Sequence, residues 1–255
     1  MSIVIAVTNQ KGGVGKTTSA VNMAYYLAKS GKKTLLIDFD PQGNATSGLG
    51  VNKHEIDTGT MSDVMTETKT LQEIVLETQH KNLYLAPATP QLANTEVELA
   101  GASRRFTRLK NAIANTPGYD IIVVDSPPAL SLLTVNGLIA ARYVLLPVQA
   151  EFYALEGLGQ LLETMKLIRK NMNPSLDLVG VLATMVDSRT TLSGQVHEEI
   201  KKHFPGKVFK TVIPRNIRLA EAPSHGVPVG SYDRFSKGAR AYKALTKEVL
   251  ERIAA

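Results

Sequence analysis

The residues best suited to chemistry form the glycine-rich stretch Lys11-Gly12-Gly13-Val14-Gly15-Lys16-Thr17-Thr18. It follows the apolar run Ile3–Val7 and precedes a segment of helical periodicity. Because glycine adopts left-handed backbone conformations freely, such a turn lets several backbone N–H groups converge on phosphate oxygens, and the helix that follows adds its positive end. Lys16 would then contact the β- and γ-phosphates of a nucleotide, and the Thr17 hydroxyl would bind Mg²⁺. The stretch predicts a nucleotide-binding loop.

Three aspartates at the ends of two predicted strands could complete a metal–phosphate site. Asp125 ends the apolar run Ile121–Val124, and Asp38 and Asp40 follow the run Leu35–Ile37. Ligand sites in parallel sheets lie outside the carboxyl ends of the strands, so we expect these side chains beside the loop. Asp125 would help to hold Mg²⁺, directly or through water. Because side chains alternate along a strand, Asp38 and Asp40 would point to the same side.

The loop departs in one respect from the common phosphate-loop pattern G-x-x-x-x-G-K-[ST]. Gln10 occupies the position of the first glycine, and a second lysine, Lys11, follows at once. A glycine-rich turn that binds nothing is the alternative interpretation. The order of strand, turn and helix favours phosphate binding over that alternative.

Strands and helices alternate along the chain, which predicts an α/β fold with a mostly parallel, twisted sheet and helices on both faces. No linker or repeat divides the sequence, so we expect a single domain over residues 1–255. Segment 52–81 is more polar, and short peripheral helices are expected there. The expected strands are Ile3–Val7, Lys33–Phe39, Asn82–Ala86, Ile121–Asp125, Tyr143–Val148, Leu178–Thr184 and Val208–Ile213. The expected helices are Thr17–Ser30, Arg104–Asn115, Ser131–Ala141, Leu155–Asn171, Gln195–His203 and Ser236–Ile253.

The composition narrows the possible functions. Cysteine is absent from the 255 residues, which excludes disulfides, cysteine-ligated iron–sulfur clusters, thiolate zinc sites and a catalytic thiol. The sequence has no signal-peptide pattern and no run of about 20 apolar residues, so we expect a cytoplasmic protein without stable membrane insertion. The net charge of +6 is compatible with a polyanionic partner such as DNA, but a merely basic surface explains it equally well.

These motifs together resemble the ParA/Soj branch of the MinD/ParA, or deviant Walker A, ATPases, which are P-loop NTPases. The resemblance runs over nearly the whole chain. Besides the loop at 11–18, it rests on Asp38-Phe39-Asp40-Pro41-Gln42-Gly43-Asn44-Ala45-Thr46, Asp125-Ser126-Pro127-Pro128, Pro214-Arg215-Asn216 and Glu221-Ala222-Pro223-Ser224-His225-Gly226.

The resemblance implies a homodimer in which two subunits sandwich two ATP molecules, each with Mg²⁺. Lys11 corresponds to the signature lysine of the family, which reaches across the dimer to the phosphates bound by the other subunit. Asp40 matches the carboxylate that positions the attacking water, and Asp38 supports the metal and water network. Pro214-Arg215-Asn216 resembles the loop that contacts adenine, largely through backbone groups. Such ATPases hydrolyse ATP slowly until a partner stimulates them.

The resemblance also implies a role in chromosome or plasmid segregation, in association with the nucleoid. The ATP-bound dimer would bind double-stranded DNA without sequence preference through Arg189 and Arg218. A ParB/Spo0J-like centromere-binding protein would stimulate hydrolysis. Solvated surface charge is the alternative interpretation of both arginines.

Two other functions stay open at this point. A MinD-like membrane-surface ATPase, acting in positioning or division, would need an amphipathic C-terminal helix. The stretch at 243–253 carries acidic residues and has no aromatic anchor beyond Tyr242, which favours a docked helix instead. A scaffold that keeps ATP only as a structural ligand would not need Lys11 or Asp40.

Overall fold

The computed structural model describes residues 2–151, 158–187 and 190–254, which contain one seven-stranded sheet. Its strands are β1 (Ile3–Val7), β2 (Thr34–Asp38), β3 (Leu76–Glu77), β4 (Leu83–Ala86), β5 (Ile121–Asp125), β6 (Tyr143–Gln149) and β7 (Asp177–Thr184). Their order across the sheet is β3-β4-β2-β5-β1-β6-β7. Every neighbouring pair is parallel except β3 with β4. The predicted α/β class and mostly parallel sheet are confirmed, while a single domain over the whole chain stays a prediction.

Helices connect the strands and cover the sheet. In the described residues they are α1 (Lys16–Lys29), α2 (Asn44–Gly48), α3 (Met61–Met65), α4 (Leu71–Ile74), α5 (Gln91–Glu98), α6 (Arg108–Ala114), α7 (Leu132–Ala140), α8 (Leu158–Asn171), α9 (Thr191–His203), α10 (Ile217–Glu221), α11 (Val229–Tyr232) and α12 (Lys237–Ala254). Short 3₁₀ turns occupy Leu99–Gly101 and Ala222–His225. Over the same residues, no helix combines the length and apolar character needed to span a membrane.

Both faces of the sheet are buried, as the apolar strands predict. Along β1, Val4 and Ala6 belong to one apolar core, and Ile5 and Val7 belong to the other. The first core includes side chains of α3, α7 and α8, whereas the second includes those of α1 and α12. Helices therefore cover both faces, in agreement with the alternating pattern of the sequence.

The register of the central strands brings the predicted chemical groups to one edge. Val7, the last residue of β1, pairs with Asp125 of β5, and Asp38 of β2 pairs with the same aspartate from the other side. The glycine-rich loop leaves β1 at this edge. The loop and two of the three aspartates are therefore neighbours, although up to 118 positions separate them in sequence (7 to 125).

The strand expected over residues 208–213 is not formed as a continuous strand. An isolated bridge pairs Val208 with Val181 of β7, and the N–H groups of Phe209 and Ile213 donate to carbonyls of β7. The backbone N–H groups of Lys210 and Thr211 donate to the Glu248 carboxylate, over 2.9 and 3.1 Å. Because a side chain of α12 takes these donors, they are not available to a neighbouring strand. The prediction of a strand here was wrong.

Two further expectations are corrected. The helix expected to begin at Arg104 begins at Arg108, because Arg104 has a left-handed backbone with a φ of 57°. The segment at 52–81 does contain the short helices α3 and α4, but they are not peripheral, since Met61 and Leu71 are fully buried in the first core. Residues 155–157, the expected start of α8, lie outside the described residues.

Gly180 lies at an irregularity of β7, where the register with β6 shifts by one residue. A side chain at this position would have no space. A β-carbon there would be 2.6 Å from both Arg252 Nη1 and Phe209 Cε2. We expect Gly180→Ala to lower the free energy of unfolding by about 1–3 kcal/mol through overpacking, measured by urea denaturation.

Gly194→Ala is the matched control for this substitution. An added β-carbon at Gly194, an exposed position of α9, meets nothing within 4 Å. The free energy of unfolding of this variant should rise by roughly 0.5–1 kcal/mol, because alanine is more stable than glycine in a helix. Equal unfolding midpoints for Gly180→Ala and the unchanged protein would contradict the overpacking argument.

Candidate active site

The glycine-rich loop has the backbone geometry of an anion site. Gly13 and Gly15 have φ angles of 74° and 84°, a region that side chains disfavour, and they turn the chain from β1 into α1. Helix α1 begins at Lys16, directly after the loop. The free N–H groups of its first turn and its positive dipole end therefore face the edge of the sheet where the aspartates lie.

Lys16 lies inside the loop. Its side chain is buried, and Nζ donates a hydrogen bond to the Lys11 carbonyl over 2.9 Å. Burial lowers the pKa of Lys16, and the carboxylates of Asp125 and Asp40 oppose that shift. The ammonium group thus lies between the loop backbone and two carboxylates, where it can contact phosphate oxygens.

Asp125 is the carboxylate whose surroundings best fit a cation. It is fully buried, and neither carboxylate oxygen has a hydrogen-bond partner in the described structure. Burial and the adjacent Asp38 raise its pKa well above the usual range, and the nearby Thr17 hydroxyl and Lys16 offset this only in part. A buried carboxylate with so little hydrogen bonding is costly unless a cation neutralises it. Its oxygens, next to a threonine hydroxyl, match the ligands that Mg²⁺ prefers.

Asp38 has a different role from Asp125, although the two are partners in register. Its Oδ2 accepts both the N–H and the hydroxyl of Thr46 at 2.7 Å, and its Oδ1 accepts the Asp40 N–H at 3.3 Å. Burial raises its pKa to about 6, against the effect of these hydrogen bonds. Asp38 therefore holds α2 at the sheet edge. If Asp38 contributes to a metal site, it does so while both of its oxygens accept hydrogen bonds.

Asp40 lies beyond the end of β2, so the alternation of the strand does not set its direction. It is nevertheless buried, and its Oδ1 accepts the Gln42 N–H over 2.9 Å. Its charge influences Lys16, Asp38 and Asp125 alike. Asp40 thus lies at the same site as the other two aspartates.

Within the described residues, no three acidic or histidine side chains form a metal site by themselves, so a bound cation would need ligands from a nucleotide or water.

Lys11 points away from this cluster. Its side chain is 39% exposed, and Nζ lies 3.9 Å from Glu151 Oε2, whose side chain is 49% exposed. An ion pair of this length between exposed groups is weak. The loop therefore presents one lysine inward and one outward.

The predicted adenine loop lies next to the phosphate loop. Residue Pro214 bridges Val186, just past the end of β7, and the Arg215 N–H donates to the Val186 carbonyl over 3.1 Å. The Oδ1 of Asn216 is buried and has no partner in the described structure. A buried acceptor of this kind can receive an amino group of a base.

One of the two arginines expected to bind DNA can be described. Arg218 is on α10, and its guanidinium pairs with Glu221 at 2.7 Å and with Asp233 at 3.5 Å. The Tyr232 hydroxyl also donates to Glu221, over 3.3 Å. Phosphate groups would compete with these carboxylates for Arg218. Arg189 lies outside the described residues.

Comparison with known proteins identifies the family. A family profile described as an AAA domain matches residues 2–178. The sporulation initiation inhibitor protein Soj of Bacillus subtilis is 52% identical over 250 residues, which are 98% of each chain. The chromosome-partitioning ATPase Soj of Thermus thermophilus is 50% identical over 98% of this chain and 96% of its own. This chain belongs to the Soj/ParA family of chromosome-partitioning ATPases.

A solved structure links the Soj/ParA-type fold to nucleotide. Cobyrinic acid a,c-diamide synthase from Mycobacterium smegmatis, with a bound ATP analogue and magnesium, has a TM-score of 0.88 and 34% identity. The match covers 100% of this chain and 97% of that one. The P-loop NTPase fold expected from the sequence is thereby confirmed.

Sequence reasoning missed three side chains that hold this Soj/ParA-type site together. They are Asn9 and Thr184, which bind the loop, and Thr46, which binds Asp38. Asn9 carried a local signal, because an asparagine just before a glycine-rich turn can accept the N–H two residues later and so form an Asx turn. Thr184 lies 170 residues from its partner Val14, so no local pattern could have indicated it.

Proposed function

We propose that this protein is a switch ATPase that dimerises with ATP, binds DNA without sequence preference and acts in chromosome or plasmid segregation. The observation that carries the proposal is the opposite placement of two lysines in one loop. Lys16 is 6% exposed and faces the carboxylates, whereas the Lys11 side chain is 39% exposed and faces outward. An outward lysine can act on phosphates bound by a second subunit, which makes hydrolysis depend on dimerisation.

ATP and Mg²⁺ are the proposed ligands. The loop at 11–18 binds the phosphates through its backbone N–H groups and Lys16, and 214–216 holds the adenine. Thr17 and Asp125 hold Mg²⁺, supported by Asp38 from its position at the end of β2. The metal, when bound, neutralises the charge of the phosphates. Membership of a family of ATPases and the nucleotide-bound neighbour support this assignment.

Hydrolysis needs a group that orients the attacking water, and we assign this role to Asp40. Its buried carboxylate has one oxygen held by the Gln42 N–H, which leaves the second to orient a water molecule toward the phosphate. Lys11 of the other subunit would stabilise the charge that develops there, as an arginine finger does. Intrinsic hydrolysis is expected to be slow, with stimulation by a ParB/Spo0J-like centromere-binding protein.

The proposed DNA-binding surface includes Arg189 and Arg218, and places the dimer on the nucleoid. A single experiment tests the class. Binding of the purified protein to double-stranded DNA is measured without nucleotide and with ADP, ATP or a slowly hydrolysed ATP analogue, always with Mg²⁺. We expect binding only with ATP and the analogue, equal for unrelated sequences and steeply weaker at higher salt. Binding that ignores nucleotide, or no binding at all, would refute the proposal.

The same samples test the membrane alternative by sedimentation with vesicles that contain anionic lipid. In α12 the side chains of Tyr242, Leu245 and Val249 are buried against the second core. Their insertion into a membrane would expose that core, so we expect no ATP-dependent pelleting. Strong pelleting without DNA binding would favour the MinD-like function instead.

Replacing Arg218 by alanine tests the DNA surface directly. The variant removes one cationic contact from each subunit, so DNA affinity should fall about ten-fold or more, and the slope of log affinity against log salt concentration should become shallower by roughly one unit per subunit. ATP-dependent dimerisation should be unchanged, because Arg218 is exposed and its described ion pairs are with Glu221 and Asp233. Arg169→Ala is the control, since it removes an equal charge from α8 on the other face of the sheet. Equal losses in both variants would show a general charge effect and no specific surface.

A further inference from the structure

Asn9 links the glycine-rich loop to strand β6 through both ends of its side-chain amide. It is 3% exposed and lies between β1 and the loop. Its Nδ2 donates to the Pro147 carbonyl over 2.7 Å, and its Oδ1 accepts the Lys11 N–H over 3.0 Å. Both functional groups of the amide are therefore used, one on the sheet and one on the loop.

The first of these bonds continues the sheet where the backbone of β1 leaves it. The last backbone bond between the two strands is donated by the Thr8 N–H to the Leu145 carbonyl, over 3.2 Å. The next carbonyl of β6 on the same side, that of Pro147, accepts a hydrogen bond from the Asn9 side chain instead. Asn9 is thus bonded to the central sheet, and through it the start of the loop is bonded to the sheet as well.

The second bond sets the backbone of Lys11. An asparagine oxygen that accepts the N–H two residues later forms an Asx turn, which defines the chain direction at that residue. On its other side, the Lys11 carbonyl accepts Lys16 Nζ. The Lys11 peptide groups are therefore held from both directions, while the side chain itself has only the long contact to Glu151 in the described structure. Its direction is set by the backbone and not by a side-chain partner.

The far end of the loop has a separate brace. The Thr184 hydroxyl, at the end of β7, donates to the Val14 carbonyl over 2.8 Å. Val14 leads through Gly15 directly into α1, which begins with Lys16 and Thr17. The end of the loop that binds phosphate in its own subunit and the end that carries Lys11 are therefore fixed by different side chains: Thr184 of β7 and Asn9, which follows β1.

From this arrangement we propose that Asn9 is the positioning residue for Lys11: its amide aims the lysine at the phosphates of the second subunit, while Thr184 holds the part of the loop that binds the subunit's own nucleotide. The inference rests on the proposed function, because it takes the action of Lys11 across the dimer as given. It predicts that the two braces have separable effects on kcat and on nucleotide affinity.

The test uses the full chain with Mg²⁺-ATP and double-stranded DNA, and compares Asn9→Ala, Asn9→Ser and Thr184→Val. Asn9→Ala should lower kcat by about ten-fold or more, because small misplacement of a charge-stabilising group is costly, and should leave ADP affinity within about two-fold. Asn9→Ser should recover part of kcat, since a serine hydroxyl can accept the N–H two residues on but does not replace the bond to the Pro147 carbonyl. Thr184→Val should weaken ADP and ATP binding and raise KM.

A double-mutant cycle with Lys11→Ala separates positioning from general damage. If Asn9 acts through Lys11, Asn9→Ala has no further effect on kcat once Lys11 is alanine. The same fold-loss in both backgrounds would overturn the proposal, as would an unchanged kcat in Asn9→Ala. Should Asn9→Ala not fold, the same cycle with Asn9→Ser decides, because an equal fold-loss of kcat with and without Lys11 would overturn the proposal, as would an unchanged kcat. Lys11→Ala with a normal kcat would instead refute the proposed function itself.

Discussion

Replacing Lys16 by alanine is expected to abolish ATP-dependent dimerisation and with it DNA binding. The Lys16 ammonium group is buried in the loop, close enough to Asp125 and Asp40 for both carboxylates to favour its charged form. Its loss removes a charge-assisted hydrogen bond to phosphate and removes the ammonium charge that lies beside both carboxylates. We expect nucleotide affinity to fall by about 100-fold or more, measured by titration with a fluorescent ADP.

Dimer formation is then followed by sedimentation velocity with the slowly hydrolysed ATP analogue. The variant should remain a monomer at nucleotide concentrations that convert the unchanged protein to dimer. Lys32→Ala is the matched control, because Lys32 is an exposed residue of the turn between α1 and β2. A dimer of Lys16→Ala that forms as readily as that of the unchanged protein would show that the loop does not bind phosphate in the proposed way.

The sequence was sufficient for the parts of this site whose signals are local. The glycines of the loop predicted a tight turn between β1 and a helix, and Gly13 and Gly15 do have left-handed backbone. The apolar runs predicted β1, β2 and β5 close to their observed bounds. The parallel arrangement then required Asp38 and Asp125 to meet at the same sheet edge, and the register confirms this. Local pattern and a general rule of parallel sheets were enough here.

The remainder depends on contacts between distant parts of the chain. The segment at 208–213 has the composition of a strand, yet Glu248 takes the donors that a strand would use. In the same way, Asn9 reaches Pro147 across 138 residues of sequence, and this bond determines how the loop leaves the sheet. Hydrophobic periodicity cannot predict where a side chain replaces a backbone hydrogen-bond partner, because it indicates which residues are buried and not which atom accepts a hydrogen bond.

The two aspartates that follow β2 illustrate the same limit. Sequence spacing placed Asp38 and Asp40 as equivalent side chains on one face, but β2 ends at Asp38. Both oxygens of Asp38 accept hydrogen bonds, from Thr46 and from the Asp40 N–H. In the residues that the structure describes, only one oxygen of Asp40 accepts a hydrogen bond, from the Gln42 N–H. Their substitution should therefore have different consequences. Loss of Asp38 removes the anchor of α2, while loss of Asp40 removes the group that we propose orients the attacking water.

Asp40→Ala is accordingly expected to stop hydrolysis while sparing nucleotide binding. General-base or water-orienting groups contribute about 100-fold or more, so kcat should fall by at least that factor. ATP affinity should be equal or higher, because the substitution removes a negative charge beside the triphosphate. The protein should then accumulate as an ATP-bound dimer that stays on DNA after free ATP is removed, whereas the unchanged protein should dissociate as ATP is consumed.

The measurement combines single-turnover phosphate release with dissociation from immobilised DNA. Asp57→Ala, at an exposed position after α2, is the control for loss of one acidic charge. If Asp40→Ala releases phosphate at the normal rate, Asp40 does not orient the water. If it loses ADP affinity as well, the loss reflects damage to the Gln42 turn that its Oδ1 holds, and the catalytic assignment fails for a different reason. Only a variant that binds, dimerises and persists on DNA without hydrolysis distinguishes a catalytic carboxylate from a structural one, and the free second oxygen of Asp40 is the reason to expect it.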